Sequence, residues 1–169
     1  TVPARVTKSV VLATTGDDNI DLDWDGSNWT VSSLYGTFGD FTFKDPTGTL
    51  TLNAGAGSDT ITVGAVAKAG GLVIDGGAGT DSVSLEVDAV AGTPKSITFG
   101  AGDVRLGGAV QFAYAGMESG KNVIVNATSG ADTITLASSG ANYTVSAGTF
   151  GTITLADPGT GGSLTIRGG

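Results

Sequence analysis

The sequence predicts an all-β protein, a parallel β-solenoid or β-roll with about 20–22 residues per coil. Short runs in which apolar and polar residues alternate recur along the whole chain, and this alternation is typical of β-strands. The runs are separated by Gly, Asp, Asn and Ser, which favour tight turns. No segment repeats apolar residues at the i, i+3, i+4 and i+7 spacing of an amphipathic helix.

The composition supports short strands and excludes several functional classes. Glycine contributes 29 of 169 residues and proline only 4, so the chain is not collagen-like, and 40% apolar residues is too many for a disordered chain. A net charge of −8 argues against nucleic-acid binding, because a phosphate backbone requires a basic surface. The chain has no His and no Cys, so only oxygen ligands remain, and these suit calcium. No apolar run is long enough to span a bilayer, so we expect no membrane insertion.

We predict sixteen strands, because Thr, Val and Ile dominate the alternating runs and favour β structure. In chain order they are residues 10–12, 20–22, 29–31, 41–43, 50–52, 61–63, 72–74, 83–87, 97–99, 104–106, 110–112, 123–125, 134–136, 143–145, 153–155 and 164–166.

Alternate strands begin at nearly constant intervals, which predicts coils of two strands each. One series begins at residues 10, 29, 50 and 72, and the other at 20, 41, 61 and 83. Equivalent strands of successive coils would pair in parallel and in register, about 4.8 Å apart. The two predicted inward ladders are Ile20, Leu22, Ile61, Val63, Val83 and Leu85, and Trp29, Val31, Leu50, Leu52, Leu72 and Ile74. The spacing is irregular over residues 86–121, and the strands there are not assigned to coils. An alternative fold for the same set of strands is an antiparallel β-sandwich repeat domain.

A longer repeat of about 114 residues lies over the coil spacing. Gly16–Leu22 corresponds to Gly130–Leu136, and Asn28–Val31 corresponds to Asn142–Val145. Small gaps in this correspondence fall in turns. The repeat predicts a tandem array.

The domain prediction follows from that repeat. Residues 1–169 are predicted to be a single β-solenoid segment, with a first copy at 9–122 and a partial second copy at 123–169. Thr1–Arg5 does not resemble a signal peptide, so we expect a mature piece of a longer tandem array.

A turn of the form Gly-x-Asp precedes four of the predicted strands. Its copies begin at Gly16, Gly57, Gly79 and Gly130. Residues 76–84 fit the complete nonapeptide Gly-Gly-x-Gly-x-Asp-x-(apolar)-x, and this stretch resembles the calcium-binding RTX repeat of secreted bacterial proteins. The resemblance implies calcium between stacked turns, an extracellular or cell-surface location, and a bacterial source.

The resemblance also implies particular ligands. Its central pair is Asp59 and Asp81, and the predicted set adds the carbonyl groups of Gly55, Gly57, Gly77 and Gly79. Asp18 and Asp132 are lone copies of the motif, outside that stacked pair, and are included as further candidate ligands. The competing interpretation is that these aspartates cap turns by accepting hydrogen bonds from backbone amides. A denser acidic patch at Asp17, Asp21, Asp23 and Asp25 is interpreted as a solvated face.

The predicted function is that of a non-catalytic structural repeat region in a large secreted or cell-surface bacterial protein, of the adhesin or S-layer type. The carboxylates follow the repeat instead of clustering once, so we expect no enzyme. Neighbouring repeats of the same chain, surface glycans and other cells are the expected partners. One alternative is a β-helical polysaccharide-active enzyme or carbohydrate-binding module, with acids drawn from Glu86–Glu118. A more remote alternative is an ice-binding solenoid, suggested by the repeated Thr-x-Thr pattern.

Overall fold

The computed structural model describes residues 9–46, 48–64, 71–88, 95–100, 102–118, 120–127, 133–147, 150–156 and 161–168. This part of the chain is all-β and contains no helix, which confirms the predicted class. The seventeen strands are β1 (Ser9–Thr14), β2 (Asn19–Trp24), β3 (Asn28–Ser33), β4 (Phe41–Lys44), β5 (Leu50–Gly57), β6 (Thr60–Gly64), β7 (Leu72–Asp75), β8 (Ala78–Gly79), β9 (Ser82–Asp88), β10 (Lys95–Phe99), β11 (Asp103–Leu106), β12 (Ala109–Ala115), β13 (Gly120–Asn126), β14 (Ile134–Ser139), β15 (Asn142–Ala147), β16 (Phe150–Ala156) and β17 (Ser163–Arg167). Each predicted strand lies within one of these bounds, and only the two-residue β8 was not predicted.

The strands form two mixed sheets, and neither sheet closes on itself. The seven-stranded sheet has the order β17-β13-β9-β6-β2-β3-β4. The ten-stranded sheet has the order β1-β5-β7-β12-β11-β10-β16-β15-β14, with β8 paired to β5.

Both sheets contain a run of parallel strands that are neighbours in space but not in sequence. In the seven-stranded sheet these are β2, β6, β9, β13 and β17. In the ten-stranded sheet they are β1, β5, β7 and β12. Ile61 pairs with Val83 in the first run and Leu50 pairs with Leu72 in the second, as the coil spacing predicts.

The prediction that Trp29 and Val31 share a ladder with Leu50 and Leu52 is wrong. β3 pairs antiparallel with β2 in the seven-stranded sheet, whereas β5 lies in the ten-stranded sheet. The cause is the tight turn at residues 25–28, in which Gly26 has a φ of 96° and Asp25 Oδ1 accepts the backbone amides of Ser27 and Asn28 at 2.8 and 2.7 Å. An Asp-Gly turn of this kind returns the chain along the strand it has just left.

The strand at 41–43 also lies outside its predicted position. β4 pairs antiparallel with β3, so it extends the hairpin instead of stacking between β2 and β6. As a result, the parallel neighbours β2 and β6 are related by 41 residues, which is twice the predicted step. Between β6 and β9 the step is 22 residues, within the predicted range.

The irregular segment 86–121 contains a second antiparallel insertion. β10, β11 and β12 form a meander in the ten-stranded sheet. At its two sides the meander returns to parallel pairing, because β12 pairs with β7 and β10 pairs with β16.

One hydrophobic core receives buried side chains from both sheets. Leu22, Val63 and Leu85 come from neighbouring strands of the seven-stranded sheet, while Leu52 and Ile74 come from the ten-stranded sheet, and each is at most 1% exposed. Burying one such side chain stabilises the fold by about 1.5–3 kcal/mol. Because these residues are paired in register on neighbouring strands, the ends of those strands are aligned, and so are the turns beside them.

Candidate functional site: a buried column of aspartates

Three predicted site residues lie side by side at the edge of the seven-stranded sheet that is formed by the N-terminal ends of its parallel strands. Asp18, Asp59 and Asp81 each immediately precede a strand, namely β2, β6 and β9. The first residues of these strands are paired in register, so the aspartates before them occupy the same level. Their exposed fractions are 3%, 1% and 0%. We call these three residues the aspartate column.

The carboxylates of Asp59 and Asp81 each accept a hydrogen bond from the backbone amide of the neighbouring aspartate in the column. The Asp18 amide donates to Asp59 Oδ1 at 2.8 Å, and the Asp59 amide donates to Asp81 Oδ1 at 2.8 Å. Beside these bonds, the Thr60 amide donates to the Asp18 carbonyl and the Ser82 amide to the Asp59 carbonyl, at 2.8 and 2.9 Å. The column therefore links turns that are 41 and 22 residues apart in sequence.

Glu118 extends the column beyond Asp81. Its Oε2 lies 3.4 Å from the Asp81 amide, a longer contact than those within the column. Sequence reasoning did not assign Glu118 to this site, because it follows β12 and not a Gly-x-Asp turn. At the opposite end, the exposed Asp17 accepts the Ser58 amide on its Oδ1 at 2.7 Å.

The glycine turns beside the column are in close contact with one another. Gly55 and Gly57 have φ values of 103° and 140°, and Gly77 and Gly79 have 93° and 153°, all in the region that favours glycine. A Cβ at Gly77 would overlap the Gly55 carbonyl oxygen, and one at Gly79 would overlap the Gly57 carbonyl oxygen. The turns need glycine both for the backbone angle and for their close approach.

Electrostatics at the centre of the column raise the pKa of Asp59. Burial raises the pKa of Asp59 above 3.8, and the neighbouring charges of Asp81, Asp18 and Asp17 raise it further, while the hydrogen bond from the Asp18 amide lowers it. Asp59 Oδ2 is buried and accepts no hydrogen bond from any residue that the structure describes. The charged form of Asp59 is therefore only partly compensated.

The structure thus brings together most of the residues predicted to bind calcium. Asp59, Asp81 and their four glycines share one edge, and Asp18 belongs to the same column instead of standing alone. Asp132 lies outside the described residues. The ligand type suits calcium, but among the described residues no group of three or more Asp or Glu side chains converges to hold a metal ion. Calcium binding here stays a prediction, whereas the hydrogen bonds of turn capping are present.

The acidic patch divides into residues with separate roles. Asp25 caps the β2–β3 turn, and its hydrogen bonds with Asn28 and Ser27 lower its pKa. Burial raises the pKa of Asp21, and the nearby charges of Asp23 and Glu86 raise it further. Glu86 is itself held by Arg167, with 3.0 Å between Arg167 Nη1 and Glu86 Oε1.

Aromatic side chains near the first hairpin pack against the core. Trp29 is fully buried, stacks on Trp24 with ring centroids 6.1 Å apart, and donates from Nε1 to Asp45 Oδ1 at 2.7 Å. Phe41 and Phe43 also stack, and both are partly buried against the core. These rings stabilise the hairpin and leave no exposed row of aromatic faces among them.

Comparison with protein-family models, curated proteins and solved structures gave no match for this chain. Within the described residues there is no helix long and apolar enough to cross a membrane.

Proposed function

We propose that this chain is a non-catalytic structural segment of a large secreted or cell-surface protein, and that its two sheets are the walls of a stacked β-solenoid. The observation that carries the proposal is the parallel, in-register pairing of strands one coil apart in both sheets. Ile61 with Val83 and Leu50 with Leu72 are both 22 residues apart, although they belong to different sheets. Two sheets with the same step are what a helical path of the chain requires.

The path of the chain supports the same proposal. From β5 to β9 the chain alternates between the sheets, passing through β5, β6, β7 and β9. The pairing of β8 with β5 continues the 22-residue step through the turn itself, since Ala56 pairs with Ala78. The antiparallel sandwich, which is the alternative arrangement, does not by itself require strands and turns to pair at the same 22-residue step.

The distribution of chemistry supports a structural role. The buried acids are engaged by backbone amides of neighbouring turns, and the aromatic rings around Trp29 are packed inward. A polysaccharide-active enzyme would need a pair of acids and sugar-stacking rings facing one groove. Two acids of the irregular segment are instead engaged in ion pairs, Asp103 with Arg105 and Glu86 with Arg167.

Calcium at the edge formed by Asp59 and Asp81 is a separate proposal. It is supported by the oxygen-only ligand types and by the buried Asp59 Oδ2. The stacked segment does not depend on it, because the amide hydrogen bonds already join the column.

Cysteine cross-linking tests the stacking. Thr60 and Ser82 are directly paired, partly exposed, and have hydroxyl oxygens 3.4 Å apart, so a Thr60→Cys/Ser82→Cys variant should form a disulfide rapidly with mild oxidant. The matched control is Asn19→Cys/Ser82→Cys, because Asn19 is also partly exposed but pairs with Thr60, so that β6 lies between it and Ser82.

Equal cross-linking in the two variants would contradict the stacking. Separately, cleavage of polysaccharide by the intact chain, lost on Glu86→Gln, would contradict the non-catalytic role.

A further inference from the structure

The antiparallel meander of the first repeat copy recurs in the second copy with the same pairing. Leu22 pairs with Val31 in the first, and Leu136 pairs with Val145 in the second. The third strand also agrees, because β4 pairs with β3 as β16 pairs with β15. β2-β3-β4 and β14-β15-β16 are therefore equivalent units.

The two equivalent meanders lie in different sheets. The first belongs to the seven-stranded sheet and the second to the ten-stranded sheet. The flanking strands exchange in the opposite sense: β1 and β5 are in the ten-stranded sheet, while their counterparts β13 and β17 are in the seven-stranded sheet. β1 still pairs in parallel with β5, as β13 does with β17. If each coil contributes one strand to each sheet, a repeat unit that moves equivalent strands to the opposite sheet contains a whole number of coils plus half a coil.

One edge of the second meander is unpaired among the described residues, whereas the equivalent edge of the first meander is paired. On the side away from β3, β2 pairs in parallel with β6, with Leu22 opposite Val63. Among the described residues, β14 pairs with β15 alone. The consequence is seen at equivalent side chains, since Leu22 is 1% exposed and Leu136 is 55% exposed. An apolar strand edge of this kind is a template for a further strand.

We infer that the open edge of β14 accepts, in parallel, a strand of the β6 type that completes the second copy of the repeat. Residues 133–136 would then face the copy of residues 60–63, as residues 19–22 face them here. The strand would join the ten-stranded sheet, so each successive unit is rotated by half a coil. This inference rests on the proposed stacking and adds the partner, the edge and the register.

The opposite end of the segment is complementary by the same reasoning. β16 pairs in parallel with β10, with Thr154 opposite Ser96. Its counterpart β4 pairs with β3 alone in the described part of the chain, so its other edge fits a β10-type strand. The two ends differ, and units of this kind join head to tail.

The test lengthens the full chain by one stretch of its own sequence. A copy of residues 56–88 is placed after Gly169, because the repeat offset makes Gly169 equivalent to Gly55. The β14 amides that face away from β15 should then exchange with deuterium at least about 10-fold more slowly. Thr135→Cys should cross-link to Thr62→Cys in the appended copy, since their counterparts Asp21 and Thr62 are paired.

The matched control carries Ile61→Ser and Val63→Ser in the appended copy only, and it should leave β14 exchange unchanged. Unchanged β14 exchange in the unmodified extension, or a cross-link to Thr165→Cys in place of Thr135→Cys, would overturn the inference. So would a β14-to-β14 dimer of the original chain, detected as a Thr135→Cys homodimer. The Thr60→Cys/Ser82→Cys cross-link in the same protein separates this failure from failure of the stacking itself.

Discussion

At the residue scale, Asp59 experiences two opposing effects. Its Oδ1 accepts the Asp18 amide, which stabilises both that amide and the carboxylate. Its burial and the charges of Asp18 and Asp81 destabilise the ionised form. Removing the acceptor and removing the charge therefore change stability in opposite directions, and two substitutions can separate them.

Asp59→Ala should lower the free energy of unfolding by about 1–3 kcal/mol, because it leaves the buried Asp18 amide without its acceptor. Asp59→Asn keeps an acceptor oxygen and removes the charge, so its loss should be smaller. Urea unfolding near neutral pH measures both. Asp17→Ala is the control, since it removes an equivalent acceptor at an exposed position. A loss for Asp59→Asn as large as that for Asp59→Ala would show that the charge itself is needed.

The raised pKa of Asp59 also predicts how stability depends on pH. The folded chain binds the Asp59 proton more tightly than the unfolded chain does, so this contribution is fully present below about pH 3.8 and is lost as the pH rises through the folded-state pKa. Lowering the pH from about 7 to about 3.8 should therefore stabilise the natural chain relative to Asp59→Asn. Unfolding free energies of both proteins at the two pH values give the comparison. A relative change of the opposite sign would contradict the raised pKa.

At the element scale, the stacked turns leave no room for side chains at Gly77 and Gly79. Gly26, in the β2–β3 hairpin, provides a comparison, because its φ of 96° nearly equals the 93° of Gly77 while a Cβ there would meet nothing within 4 Å. The two glycines have nearly the same φ and differ in their surroundings.

Gly77→Ala should destabilise the chain by about 1–3 kcal/mol more than Gly26→Ala, because only the first forces the turn away from the Gly55 carbonyl. Both variants carry the same backbone strain, so the difference isolates the close approach of the turns. Thermal or urea unfolding measures it. Equal losses would mean that the turns at Gly55 and Gly77 are not in contact in solution.

The strands were predictable because their alternation is local. The 22-residue step was predictable because only β7 and the two-residue β8 lie between β6 and β9 in the sequence. The destination of β3 was not, since Trp29 has the same apolar pattern whether its strand crosses to the other sheet or returns beside β2. That choice is made by the turn around Gly26. The membership of Asp18 in the column was missed for the same reason, because its neighbour Asp59 follows only after the hairpin.

At the scale of the whole molecule, the aspartate column and the hydrophobic core connect the same three neighbouring strands, β2, β6 and β9. In the core these strands are connected through Leu22, Val63 and Leu85. At the ends where the strands begin, they are connected through Asp18, Asp59 and Asp81. A cation bound at this edge would stabilise the folded array alone, so its effect would appear in global unfolding.

If calcium binds at Asp59 and Asp81, the melting midpoint should be higher in excess calcium than in excess chelator. A free calcium concentration of about 100 times the dissociation constant adds about 2.7 kcal/mol to the free energy of unfolding. For a chain of this size, that raises the melting midpoint by several degrees. Asp81→Ala should then lose more stability in calcium than in chelator. Equal losses in both buffers would identify Asp81 as a turn cap alone.

The exchange of the two meanders between the sheets bears on how a long polymer of this unit would meet its surroundings. Whatever the wall containing β2-β3-β4 displays, the wall containing β14-β15-β16 displays again one unit later, on the reverse side. In a fibre built from such units, each surface feature of the repeat would therefore occur on both sides. Along either side it would recur at intervals of two units.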